Sequence, residues 1–65
     1  MIKISQWMEY AEKKGDYLCD LAAEHLRSRE PEKAKQLLNQ AIGWYKKAGL
    51  EEKIEIVNNK LKELG

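Results

Sequence analysis

The sequence predicts an all-α domain of four short helices, arranged as two antiparallel helical hairpins. Three observations predict it. Pro31 to Gly49 carries a helical apolar arc with a start and a stop written into it. Two lysine-then-glycine segments, EKKGD at Gly15 and YKKAGL at Gly49, stand 34 residues apart. No stretch alternates apolar and polar residues as a half-buried strand would.

Helix one is placed from about Ser5, a residue type suited to an N-cap, to Lys14. Ile4, Trp7, Met8, Tyr10 and Ala11 share its apolar face, and Glu9, Glu12 and Lys13 lie opposite. Gly15 is read as the residue ending this helix and Asp16 as the cap of the next. Helix two spans Tyr17 to Ser28. Its apolar set, Leu18, Cys19, Leu21, Ala22, Ala23, His25 and Leu26, covers about 200° of arc, which predicts a well-buried helix. Arg29-Glu30 connects it to helix three. There Pro31 suits the first helical position, and Glu30 and Glu32 place negative charge at the positive end of the helix dipole. Lys46, Lys47 and Gly49 form the stop. The arc from Trp44 round to Ile42, which includes Ala34, Leu37, Leu38, Ala41, Tyr45 and Ala48, spans roughly 160°, where one neighbour needs only about 100°. Helix three is therefore expected to touch two or more others. Helix four follows Gly49: Leu50, Ile54, Val57, Leu61 and Leu64 step by fours and threes, a coiled-coil type of seam. Ile56 falls off that seam and is expected to be exposed. Connections of two or three residues imply antiparallel neighbours.

Sixty-five residues make one domain, 1–65, with a first repeat at 1–34 and a second at 35–65. A chain this short buries only about 60% of its unfolded surface. Twelve basic and eleven acidic side chains leave a net charge of +1, so no strong field steers it to nucleic acid or membrane. The lone Cys19 allows no internal disulfide and no thiolate zinc site, which fits a reducing compartment. No apolar run approaches the ~20 residues of a membrane span. MIKISQWMEY lacks the apolar core of a signal peptide, so the cytoplasm is the expected location.

Sliding the chain by 34 residues sets Ile4 on Leu38, Trp7 on Ala41, Met8 on Ile42 and Ala11 on Tyr45. Leu38, Ala41, Ile42 and Tyr45, together with Gly15-Asp16-Tyr17 and Pro31, resemble the tetratricopeptide repeat, whose period is about 34 residues. The chain departs from that pattern by one residue fewer between Gly15 and Pro31, and by Asn58 where an aromatic is usual. A lesser resemblance is to the three-helix microtubule-interacting-and-trafficking domain, whose helices carry alanine-rich stripes. Gly15-Asp16 speaks against it, because that domain needs a long unbroken first helix.

The tetratricopeptide resemblance implies a peptide-binding groove lined by first helices. By position it would take Ser5, Glu9, Glu12 and Lys13 from helix one and Gln36, Asn39, Gly43, Lys46 and Lys47 from helix three. Lys13, Lys14, Lys46 and Lys47 would cluster if the repeats stacked, and could hold an acidic peptide. The bland alternative is a set of solvated helix faces. His25 and Cys19 read as packed core residues, as do Trp7 and Tyr45; Trp44 and Tyr10 lie at the edges of their arcs. The seam Leu50, Ile54, Val57, Leu61, Leu64 and the exposed Ile56 form the expected homo-oligomer interface. No metal-spaced His/Cys set, phosphate loop or catalytic constellation is present, so neither an enzyme nor a cofactor is expected. The expected function is a protein–protein interaction module or small adaptor, with a protein or peptide as partner and neither nucleic acid nor membrane. The alternative is a self-assembling structural unit.

Overall fold

The computed structural model describes residues 4–65, and side chains from Gln6 onward. Among the described residues there are three α-helices and no strand: α1 Ile4–Arg27, α2 Pro31–Ala48 and α3 Glu51–Leu64. The all-α class stands. The four-helix, two-hairpin arrangement is overturned, because the first two expected helices are one helix of 24 residues.

Gly15 is the reason. A glycine inside a helix costs only ~1 kcal/mol against alanine, so an otherwise helical segment can run through it. Here the missing side chain is used. A Cβ at Gly15 would lie 2.5 Å from Cε1 of Tyr45, so the tyrosine ring occupies the space an alanine would fill. Asp16 caps nothing; its carboxylate reaches Tyr45 and Lys53 instead. The two glycines are therefore not equivalent. Gly49 takes the left-handed conformation at the end of α2, with φ 69°, whereas Gly15 is buried in mid-helix. The objection raised to the three-helix alternative falls with the break at Gly15.

α1 and α2 form the main antiparallel contact. α1 buries Ala11, Gly15, Leu18 and Ala22, and α2 buries Ala34, Leu38, Ala41, Tyr45 and Ala48. Steps of three and four make each set a seven-residue pattern. Gly15 beneath Tyr45 fixes the register. Stepping away from it in antiparallel sense sets Leu18 beside Ala41 and Ala22 beside Leu38, so small faces large along the contact. Ile42 lies at the edge of the same core.

α3 lies against α2 and meets α1 chiefly through side chains. Val57 is fully buried, and Leu50, Ile54, Leu61 and Leu64 pack against the core. The molecule is elongated, 42 × 19 × 12 Å. Helix two's expected deep burial is corrected: of its seven apolar positions only Leu18 and Ala22 are buried, and Leu26 is 37% exposed. With only α2 to cover it over most of its length, that stretch of α1 keeps an open flank.

Both connections use one device. At the end of α2 the Gly49 amide donates to the Lys46 carbonyl and the Leu50 amide to that of Tyr45. At the end of α1 the Arg29 amide donates to Leu26 and the Glu30 amide to His25. This is the Schellman pattern, which needs a left-handed residue and favours glycine there. Gly49 satisfies it without strain, but Arg29 adopts φ 61° with a side chain present. Arg29→Gly is expected to raise the unfolding free energy by about 1 kcal/mol, read from urea denaturation.

Candidate docking groove

Glu12 and Asp16 sit one turn apart on α1, facing α3. Lys53, one turn into α3, bridges them: its Nζ is 2.7 Å from Glu12 Oε2 and 3.0 and 3.3 Å from the two oxygens of Asp16. Tyr45 of α2 completes the junction. Its hydroxyl donates to Asp16 Oδ1 at 2.5 Å. Cys19 Sγ lies 3.6 Å from the same hydroxyl oxygen. The single hydroxyl proton is already committed to Asp16, so the thiol is the donor to Tyr45. Lys53 Nζ also lies 5.5 Å from the Tyr45 ring centroid, within cation–π range. One tyrosine and one lysine thus tie three helices together at one end of α3.

The charges in this clasp support one another. Burial opposes ionisation of Asp16, but the Tyr45 hydroxyl and the Lys53 ammonium outweigh it and hold its carboxyl below the usual 3.8. The Glu12 carboxylate, against some burial and with help from Asp16, raises Lys53 above 10.5. Burial first, then Asp16 and Cys19, push the Tyr45 hydroxyl far above 10.0. The signs give a pH dependence. Asp16, lowered in the fold, adds stability that is present above pH 3.8 and is lost as pH falls through its folded value. Lys53, raised in the fold, adds stability that is present below pH 10.5 and is lost as pH climbs through its folded value. The unfolded chain releases the Tyr45 proton from about pH 10.0 while the folded chain keeps it, which also lowers stability on the alkaline side. The clasp is expected to leave the urea midpoint flat between these limits and to lower it beyond each. Lys53→Met should flatten the acid limb.

Beyond the clasp α3 stands off from α1. Between them runs an open trough of about 250 Å³, lined by Cys19, Ala22, Ala23 and Leu26 of α1, Leu38 of α2, and Lys60, Glu63 and Leu64 of α3. Its α1 wall is small at Cys19, Ala22 and Ala23 and apolar at Leu26, and Leu38 lies at its floor. Such a wall lets another chain approach closely, and the Lys60 and Glu63 rim supplies polar contacts.

The expected groove residues do not line this trough. Glu12 is taken into the clasp, and Glu9 and Lys13 are exposed on the outer side of α1. Gln36, Asn39, Gly43, Lys46 and Lys47 are exposed on α2. Gly43 lies two residues from both Ala41 and Tyr45, about 200° round the helix from each, so it faces away from α1, and Lys47 stands to one side with its ammonium over the Trp44 ring. The side chain of Ser5 lies outside the described residues, as does that of Ile4. Because α1 and α2 are the two arms of one hairpin, their polar faces point apart. They are not parallel first helices of successive repeats. The expected oligomer seam is also spent inside the molecule: Leu50, Ile54, Val57, Leu61 and Leu64 face the core, and only Ile56 is freely exposed, at 54%.

Tyr45 is core, as expected, with 3% exposure. Trp7 is not; at 41% exposure it sits beside Tyr10 and Trp44 on the flank opposite α3, where none of the described helices covers it. His25 hydrogen-bonds Glu30 through Nδ1 at 3.1 Å. That contact, followed by Lys33, holds the Glu30 carboxyl below its usual range. The clasp and the trough were missed in the sequence because both need Gly15 inside a helix. Once it is, Glu12 and Asp16 fall four apart on one face, a signal that Lys53 answers. Among the described residues no three His, Cys, Asp or Glu side chains are grouped as metal ligands. No helix among them is long and apolar enough to cross a membrane. Comparison with protein-family models, curated proteins and solved structures returns no match.

Proposed function

We propose that the chain is a non-catalytic protein-interaction module, a small adaptor that takes a helical segment of another protein into the trough between α1 and α3. The observation that carries this reading is the trough itself. α3 is fastened to α1 at one end by the Glu12–Asp16–Lys53–Tyr45 clasp, and apolar surface is left open beyond it. An amphipathic helix laid there would cover Ala23, Leu26 and Leu64 as a fourth helix does in a bundle. The uninterrupted first helix favours the three-helix resemblance over the repeat resemblance for the chain as a whole. Any tetratricopeptide likeness is confined to the α2–α3 hairpin, where Leu38, Ala41, Ile42 and Tyr45 are all buried. A reducing, cytoplasmic setting suits Cys19, which acts as a thiol donor to Tyr45.

Ala23 tests this. It is exposed on the trough wall, so Ala23→Arg fills the groove without entering the core. The wild-type domain should retain a defined protein from extracts of its source cell. The arginine variant, with an unchanged circular dichroism melting curve, should lose it. Equal retention by both, or none by either, rejects the trough as the docking site.

A further inference from the structure

The flank opposite α3 carries a second surface with different chemistry. Trp7 and Tyr10 of α1 and Trp44 of α2 form one ring cluster, with centroids 5.9, 6.2 and 5.7 Å apart and the Tyr10–Trp44 pair edge to face. Trp7 is 41% and Tyr10 51% exposed. Tyr17, two turns on from Tyr10, continues the stripe and is also exposed. The charge lining the hollow beside it has one sign. The shallow concavity next to the cluster is lined by Tyr10, Lys13, Lys14 and Tyr17, with no carboxylate among them. Lys47 Nζ stands 4.6 Å over the Trp44 ring on the other arm. The clasp side mixes signs, whereas this side is aromatic with a lysine rim.

We propose that this flank binds an acidic peptide segment with bulky apolar anchors, independently of the trough. The rings supply large, rigid apolar contact area, and Lys13, Lys14 and Lys47 meet carboxylates around it. A second copy of this chain fits worse, since a two-fold pairing of the same face would bring lysine rim against lysine rim. Nucleic acid fits worse as well. Twelve basic against eleven acidic groups give no overall attraction, and three rim lysines neutralise few phosphates. With one partner on each flank, the domain would bridge two proteins.

The chain has two tryptophans and both lie in this cluster, so its tryptophan emission, excited at wavelengths where tyrosine does not absorb, reports on this face. A displayed library of random peptides is selected on the Ala23→Arg domain, in which the trough is filled. Enriched peptides are expected to be rich in Asp and Glu around Trp, Phe or Leu, and to shift tryptophan emission to the blue. Exchanging Lys13 and Lys14 for Glu together should weaken them about tenfold, as should a large rise in salt. Both lysines are exposed, so that variant keeps the fold, checked by its melting curve. The proposal is overturned by enriched peptides without acidic excess, by no enrichment, or by affinity unchanged in the Lys13→Glu, Lys14→Glu domain. It is equally overturned if the blue shift comes from raising the domain's own concentration, from a thymidine oligonucleotide or from phosphatidylserine vesicles in place of peptide. None of these results bears on partner loss in the Ala23→Arg variant of the trough, so the two readings fail separately.

Discussion

Tyr45→Ala is expected to take away a large share of the domain's stability. The ring is almost fully buried, fills the notch at Gly15 and carries the hydroxyl that Asp16 and Cys19 share. Truncating a buried aromatic to alanine costs ~3–5 kcal/mol, from lost transfer free energy plus the cavity left behind. A chain of this length holds roughly 3–10 kcal/mol in total, at ~0.05–0.15 kcal/mol per residue. One substitution therefore removes from about a third of the stability to all of it. Tyr45→Phe separates the two contributions. It keeps the ring in the notch and removes only the hydroxyl, leaving the half-exposed Asp16 to water and Lys53. The cost should be near ~1 kcal/mol, the low end for a hydrogen bond to a charged group. Urea denaturation followed by circular dichroism measures both. A loss below ~1 kcal/mol for the alanine variant would place the ring outside the helix contact.

Gly15→Ala and Gly43→Ala are expected to act in opposite directions, although both replace a glycine in mid-helix. Each gains ~1 kcal/mol of helix preference. At Gly43 nothing lies within 4 Å of the new methyl, so the whole gain appears as added stability. At Gly15 the methyl would meet Cε1 of Tyr45 at 2.5 Å and Cδ1 and Cζ at 2.8 Å. Overpacking of this kind costs ~1–3 kcal/mol. The ring is pinned by its hydroxyl and cannot swing away cheaply. The net result at Gly15 should be a loss of up to ~2 kcal/mol, or several degrees in melting temperature. If Gly15→Ala stabilises as Gly43→Ala does, the notch is not where the tyrosine ring sits.

These glycines show how far the sequence could be read. The limits of α2 were legible to the residue. Pro31 starts it, Gly49 in a left-handed conformation ends it, and Ala34, Leu38, Ala41, Ile42, Tyr45 and Ala48 face inward as their spacing requires. The apolar stripe of α3, Leu50 to Leu64 with Ile56 outside it, was legible for the same reason, but not that it packs on this chain's own core rather than on a second copy. The error came from Gly15-Asp16, a pair of residue types equally suited to a helix end and to a crowded helix–helix contact. Composition does not separate those uses. The choice depends on whether a ring from a residue thirty positions away needs the space.

The sequence by itself determined the helical content, the ends of two of the three helices, and the near-neutral charge. Those follow from local preferences and from periodicity along one chain segment, which act within a few residues. Only the tertiary structure decided that the first two segments are one helix, that Asp16 pairs with Tyr45 and Lys53, and that Trp7 lies outside. Each of those depends on which distant side chain arrives at a given point. The free energy of a filled notch or a shared carboxylate belongs to the pair, and neither partner's neighbours in sequence encode it.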